Sequence, residues 1–465
     1  MLFSSLTFLF IFLPTVIGIY YILPMKAKNI WLLLSSLFFY FYGEPKYLVL
    51  MVAVITVSYV FGLLTDRAEG KIRLAITIIS VAVNLSALLY FKYTDFFIST
   101  INSVFNSDIG LLRLALPIGI SFFTFQSVSY NIDVYRKDTP AQRNPLSLAL
   151  YVSLFPQLVA GPIVRYTDVM HDLRHRTHSA EKFTHGIRRF VIGLGKKVIM
   201  ANSLGTICET FRGADEKSTL FFWLYAVSFA LQIYFDFSGY SDMAIGLGHM
   251  LGFRFMENFN YPFISSTVTE FWRRWHISLG SWFRDYIYIP MGGNRVGKIR
   301  FLFNILTVWF LTGFWHGADW TFILWGLYFA VLLLCEKFIP KKIKDRVPKL
   351  ISHIYLIFVV LIGFVIFNAS GVSGAAEDLR GMFTNAYPLS TDITLYYLRS
   401  YAVLLIAGII GATPALKTIC NRIKENNIGN KILTAAEPVF VAAVLIIVTA
   451  YLIDGTYNPF LYFRF

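Results

Sequence analysis

Residues Tyr261 to Trp320 read YPFISSTVTEFWRRWHISLGSWFRDYIYIPMGGNRVGKIRFLFNILTVWFLTGFWHGADW, and the rest of the chain is read outward from this stretch. His276 ends the cluster Phe271-Trp272-Arg273-Arg274-Trp275-His276. His316 ends an apolar run as Phe314-Trp315-His316-Gly317. A histidine ringed by tryptophans at the end of an apolar segment is costly unless something uses it.

The flanking sequence sets the medium. Of 465 residues, 56% are hydrophobic and 15% charged, against roughly a quarter charged in a soluble domain. The apolar residues fall in runs of about 20, the length that spans a bilayer. The reading is an all-α polytopic membrane protein. The net charge of +14 sits in short loops between apolar runs, as the positive-inside rule expects, so no nucleic-acid partner is implied. Cys208, Cys335 and Cys420 are too scattered for a disulfide framework or a metal pattern. The first run, Phe3–Leu23, lacks a basic leader and a small-residue cleavage site, so it reads as a retained span.

Candidate spans begin with Phe3–Leu23, Ile30–Tyr42, Lys46–Leu64, Leu74–Lys92, Leu111–Ile132, Leu146–Ile163, Ile187–Leu204 and Thr219–Phe237. Phe301–Trp315, Trp320–Phe338, Leu350–Phe367, Tyr401–Ala412 and Ile432–Ile453 follow. Some are short or re-entrant, which leaves about 10 to 12 crossings. No internal repeat is visible, so a transporter or flippase built from two similar halves gains no support. Basic residues cluster after the first, third and fifth runs, and again at 341–349 and 417–431. Both termini then lie outside a cytoplasmic membrane. Residues 1–465 read as one membrane domain, with 454–465 an external aromatic tail.

Two segments are amphipathic rather than spanning. Val164–Phe190 places His171, His175 and His178 on one helical face. No carboxylate or cysteine pattern completes a metal site there, and a basic interfacial helix is the better reading. Ser265–Pro290 carries Glu270, Arg273, Arg274, Arg284 and Asp285 among aromatics, so it lines a cavity or lies at an interface.

Polar residues at membrane depth are functional candidates. Asp236 and Ser238, in Gln232–Asp242, suit either a site or the cap of a span leaving the membrane. Asn258 and Asn260 lie in a turn before Pro262. There is no phosphate-loop spacing, no Gly-x-Ser-x-Gly elbow, no His-Glu-x-x-His and no Cys-x-x-Cys. That leaves the two histidines. Gly317 lets backbone approach His316 closely, and Arg273, Arg274, Trp275 and Trp315 suit an enclosed polar pocket. Desolvation favours neutral imidazole, the form a general base needs.

These residues resemble the membrane-bound O-acyltransferase (MBOAT) family, specifically its bacterial alginate O-acetyltransferase-like branch. The likeness covers nearly the whole chain. It is most specific in Gln232–Gly246, Asn258–Pro262, Glu270–Leu279, Arg284–Arg295 and Phe314–Ala318. The Pro-Met-Gly-Gly-Asn-Arg run at 290–295 favours polysaccharide acetylation over the teichoic-acid D-alanylating branch. The resemblance implies a ring of helices around a central funnel with re-entrant helices, and an acyl transfer, acetyl in this branch, from a cytoplasmic thioester to a hydroxyl of an exported polymer. It maps the family's near-invariant histidine onto His316, as base, and its second onto His276. The donor it implies is acetyl-CoA or an acyl-carrier-protein thioester, with no permanently bound cofactor and no metal. The partners it implies are an external esterase-like (SGNH-type) acyltransferase and, for the second donor, a cytoplasmic acyl-carrier protein.

The tail, Asn458–Phe465, suits an aromatic interface anchor. It also resembles the C-terminal motif of small partner proteins in D-alanylation, in which a tyrosine accepts the acyl group. That likeness makes Tyr462 a candidate acyl acceptor.

Overall fold

Why so apolar a chain becomes helix follows from its solvent: in lipid every backbone polar group needs an internal partner, and helices supply one within each segment. The computed structural model describes residues 1–159, 161–344, 346–455 and 460–461, and among these there is helix and no strand. Tyr462 lies outside the described residues.

Among the described residues, seven helices are long and apolar enough to cross a membrane. They are Leu48–Arg67, Gly70–Phe105, Ala180–Gly213, Thr219–Leu251, Trp320–Phe338, Lys349–Phe367 and Asn427–Asp454. The pair Asp392–Ser400 and Ala402–Gly411, bent by 53°, makes an eighth if it is one broken span. The larger count read from the sequence includes runs that fold as shorter or interrupted helices. Leu111–Ile132 is helical only from Ile120, because Pro117 and the left-handed Gly119 (φ 77°) interrupt it. Leu146–Ile163 breaks at Leu154, between Pro145–Ser153 and Phe155–Leu158.

The chain forms two compact units, Met1–Phe190 with Ser241–Glu257, and Val191–Tyr240 with Asn258–Phe465. In the first, Leu48–Arg67, Gly70–Phe105 and Ile120–Arg136 pack on one another. Its aromatic core includes Phe3, Phe8, Phe39 and Phe155, all at most 1% exposed. The basic segment forms Tyr166–Arg174 and the start of Ala180–Gly195. His178 hydrogen-bonds the Tyr20 hydroxyl at 2.8 Å, while His171 is exposed beside His175, so the three imidazoles do not converge. Among the described residues no cluster of three metal-ligating side chains occurs.

The second unit holds both histidines of the opening stretch. Its core joins Phe211, Phe221, Tyr225, Phe229, Phe271, Trp325, Phe329 and Phe364. Thr219–Leu251 continues well past Phe237. Ser238 and Asp242 are therefore helix-interior residues, and the capping alternative is removed.

Candidate active site

His316 is placed by a helical hairpin. Lys298–His316 and Trp320–Phe338 are joined by three residues, and Asp319 caps the second helix by accepting from the Thr321 N–H and hydroxyl at 2.8 and 2.9 Å. The helices touch backbone to backbone. A Cβ on Gly313 would lie 2.2 Å from the Phe322 carbonyl oxygen, and one on Gly326 2.3 Å from that of Trp309. His316 is the last residue of the first helix and 6% exposed. Its ring centroid lies 5.0 Å from Trp325, 5.1 Å from Trp315 and 5.3 Å from Phe367, each at a steep angle. Three helices thus supply the walls.

His276 is placed by a tight elbow between Val268–Arg274 and Ile277–Phe283. Its backbone is left-handed (φ 44°, ψ 54°), a conformation that costs a side-chain-bearing residue of order 1–3 kcal/mol. The elbow is tied to the preceding loop. The Ile277 N–H donates to the Asn258 carbonyl at 3.0 Å, and the Asn260 N–H to that of Arg274 at 2.9 Å.

Asn258 also fixes the imidazole. Its Oδ1 accepts from the Ser278 backbone N–H at 3.2 Å and from the Ser278 hydroxyl at 2.9 Å. A backbone N–H can only donate, so the atom facing it is the amide oxygen. The same oxygen lies 3.1 Å from Nδ1 of His276. Nδ1 therefore carries the hydrogen, and Nε2 is the unprotonated nitrogen. Burial pushes the imidazole down to about 3, so the ring stays neutral.

The two histidines share a neighbour. His276 meets Trp315 at 6.1 Å between centroids and Phe237 at 4.5 Å, edge to face. A row of rings results: Phe237, His276, Trp315, His316 and Trp325. The indole N–H of Trp325 is buried and has no hydrogen-bond partner among the described residues. Buried tryptophan N–H groups ordinarily find one.

The other residues singled out from the sequence divide. Trp275 is buried and stacks on Phe271 at 5.5 Å. Asp236 is 1% exposed and pairs with Lys197 at 2.5 Å. The Ser238 hydroxyl is buried with no partner among the described residues. Glu270 and Arg274 form a half-buried brace one helical turn apart, 2.9 Å between charged atoms, while Arg273 and Asn260 are exposed. Sequence reasoning missed Ser278, Phe237, Trp325, Phe367 and Lys197. Only Lys197 was signalled, as a charge inside the apolar run Ile187–Leu204 that needs a partner.

Comparison with known proteins places this architecture. The profile described as MBOAT, membrane-bound O-acyltransferase family, matches residues 140–374. The chain is 41% identical over 426 residues to the "Probable alginate O-acetylase AlgI" of Azotobacter vinelandii, covering 90% of this chain and 85% of that one. It is 33% identical to the peptidoglycan O-acetyltransferase of Helicobacter pylori, over 98% of this chain and 90% of that one. The teichoic acid D-alanyltransferase of Bacillus subtilis is 31% identical over only 54% of this chain and 68% of its own. With its multi-pass helices, its hairpin-borne His316 and its elbow-borne His276, the chain belongs to the membrane-bound O-acyltransferase family and is an acyltransferase.

Proposed function

We propose that the protein moves an acetyl group from a cytoplasmic thioester, acetyl-CoA or an acyl-carrier protein, across the cytoplasmic membrane for O-acetylation of an exported polysaccharide or cell-envelope polymer. The observation that carries this reading is the row of rings in which Trp315 contacts both His276 and His316. The two O-acetylating relatives support the choice of acyl group. The partial coverage of the D-alanyltransferase makes D-alanyl transfer the weaker alternative.

His316 is the base. It takes the acceptor hydroxyl's proton as that oxygen attacks the thioester carbonyl. Negative charge then gathers on the carbonyl oxygen, and the buried Trp325 N–H is the donor assigned to it. Collapse of the intermediate re-forms the carbonyl, breaks the carbon–sulfur bond and returns the proton from His316 to the leaving thiolate. His276, held neutral with its Nδ1–H on Asn258, shapes the pocket. The acceptor is the Tyr462 hydroxyl, from which an external esterase-like transferase passes the acyl group to the polymer. That route needs the C-terminal tail outside, as the basic loops suggest.

The test is transfer of isotopically labelled acetyl from acetyl-CoA, or from a loaded carrier protein, to purified protein. His316→Ala abolishes labelling while the protein stays folded and monodisperse, and a labelled His316→Ala variant contradicts the reading. Mass spectrometry places the label on Tyr462; no label there, with a fully active Tyr462→Phe variant, removes the carrier step alone.

A further inference from the structure

An ionised carboxylate in the middle of an apolar helix needs its charge answered. Asp236, 1% exposed within Thr219–Leu251, has its Oδ1 2.5 Å from the Lys197 ammonium, itself only 4% exposed. The geometry that brings them together is specific. Lys197 lies on a widened π-type turn, Lys196–Ala201, within the longer helix Ala180–Gly213. At Gly239, one turn beyond Asp236, a Cβ would lie 2.7 Å from the Gly193 carbonyl oxygen and 3.1 Å from the Lys197 amide nitrogen. Only glycine lets the two helices close to that distance.

A pair of this kind adds little stability by itself, because desolvation offsets the attraction. The second carboxylate oxygen shows a further use. Oδ2 of Asp236 accepts the backbone N–H of Leu461 at 2.9 Å, in a buried contact between residues 225 positions apart. Leu461 and Phe460 are 7% and 2% exposed. The Phe460 ring lies 5.0 Å from Tyr240 and 5.8 Å from Phe237, whose own ring stands edge to face against His276 at 4.5 Å.

We propose that the Lys197–Asp236 pair is the seat of the chain's own C-terminal segment. Lys197 anchors Asp236, Asp236 holds the Leu461 backbone, and Phe460 and Leu461 are thereby positioned one ring away from His276. Because the contact is to backbone, the seat fixes the register of the segment whatever side chain stands at position 461. Asp236 and Lys197 are positioning residues in this account. Its consequence for turnover rests on the acyl-transfer reading above; the seat itself does not.

Two matched double variants isolate the backbone bond. Lys197→Met with Asp236→Asn removes both charges and keeps an acceptor oxygen, whereas Lys197→Met with Asp236→Leu removes both charges and the acceptor. Loss of the buried charges is common to both, so a folding defect from that source appears in each. The readout is maleimide labelling of Leu461→Cys in a background with Cys208→Ala, Cys335→Ser and Cys420→Ser. The Asn variant is expected to label as slowly as the parent, and the Leu variant about tenfold faster, the scale of one lost neutral hydrogen bond. Equal protection in the Leu variant, or equal exposure in both, overturns the seat. Acetyl transfer is measured on the same proteins and is expected to fall only in the Leu variant. A released segment with undiminished transfer leaves the seat standing and contradicts the use of the tail in the reaction.

Discussion

The two histidines are held in opposite ways. His276 sits in a strained left-handed elbow and is gripped by the amide of Asn258, which Ser278 orients in turn. His316 ends an unstrained helix and is walled by the rings of Trp315, Trp325 and Phe367. A gripped imidazole has one tautomer and one orientation, which suits shaping a pocket. A walled one keeps a dry site in which proton transfer and charge development are strongly felt. The pair teaches that burial alone does not assign a role; what surrounds each ring does.

The largest test of that contrast is Trp325→Phe. It keeps a ring against His316 and removes only the N–H, so turnover should fall about 10²–10³-fold with the donor's KM little changed. An unchanged turnover number would return His316 to a merely structural enclosure. Asn258→Ala comes next. It removes the buried oxygen shared by His276 Nδ1 and the Ser278 N–H and hydroxyl, a cost of about 1–3 kcal/mol, seen as a lower melting temperature in detergent. Asn258→Asp, which still accepts both, should recover most of that loss. The smallest effect belongs to Arg274→Ala on the outer side of the elbow. Its half-buried pair with Glu270 is of the kind that contributes about 0.3–0.5 kcal/mol, so both transfer and melting should stay near the parent's. A large loss there would move the pocket toward the arginines.

Much of this was legible in the sequence. The apolar runs give the membrane class, and the hairpin around His316 follows from two such runs separated by Gly317-Ala318-Asp319. Both histidines announce themselves by their cost. What sequence could not give depends on residues distant in the chain. Leu111–Ile132 is apolar enough to read as one helix, yet Pro117 and Gly119 delay its start. Gly239 resembles a helix stop beside Ser238, but it is a point of close approach that lets the helix continue. Asn258 reads as a turn residue because nothing local shows its side chain reaching His276 across 18 positions. Periodicity also cannot tell which of the many tryptophans, Trp325 among them, will close on His316.

The central claim is that His316 does the chemistry and His276 prepares the pocket. The most direct measurement is the single-turnover rate of labelled acetyl transfer at saturating donor, for His316→Gln and His276→Gln side by side. The account predicts a loss of about 10³-fold or more for His316→Gln. For His276→Gln it predicts a residual rate within about tenfold of the parent's, with the deficit in donor affinity. A His276→Gln protein that is dead beside a His316→Gln protein that still turns over would contradict it.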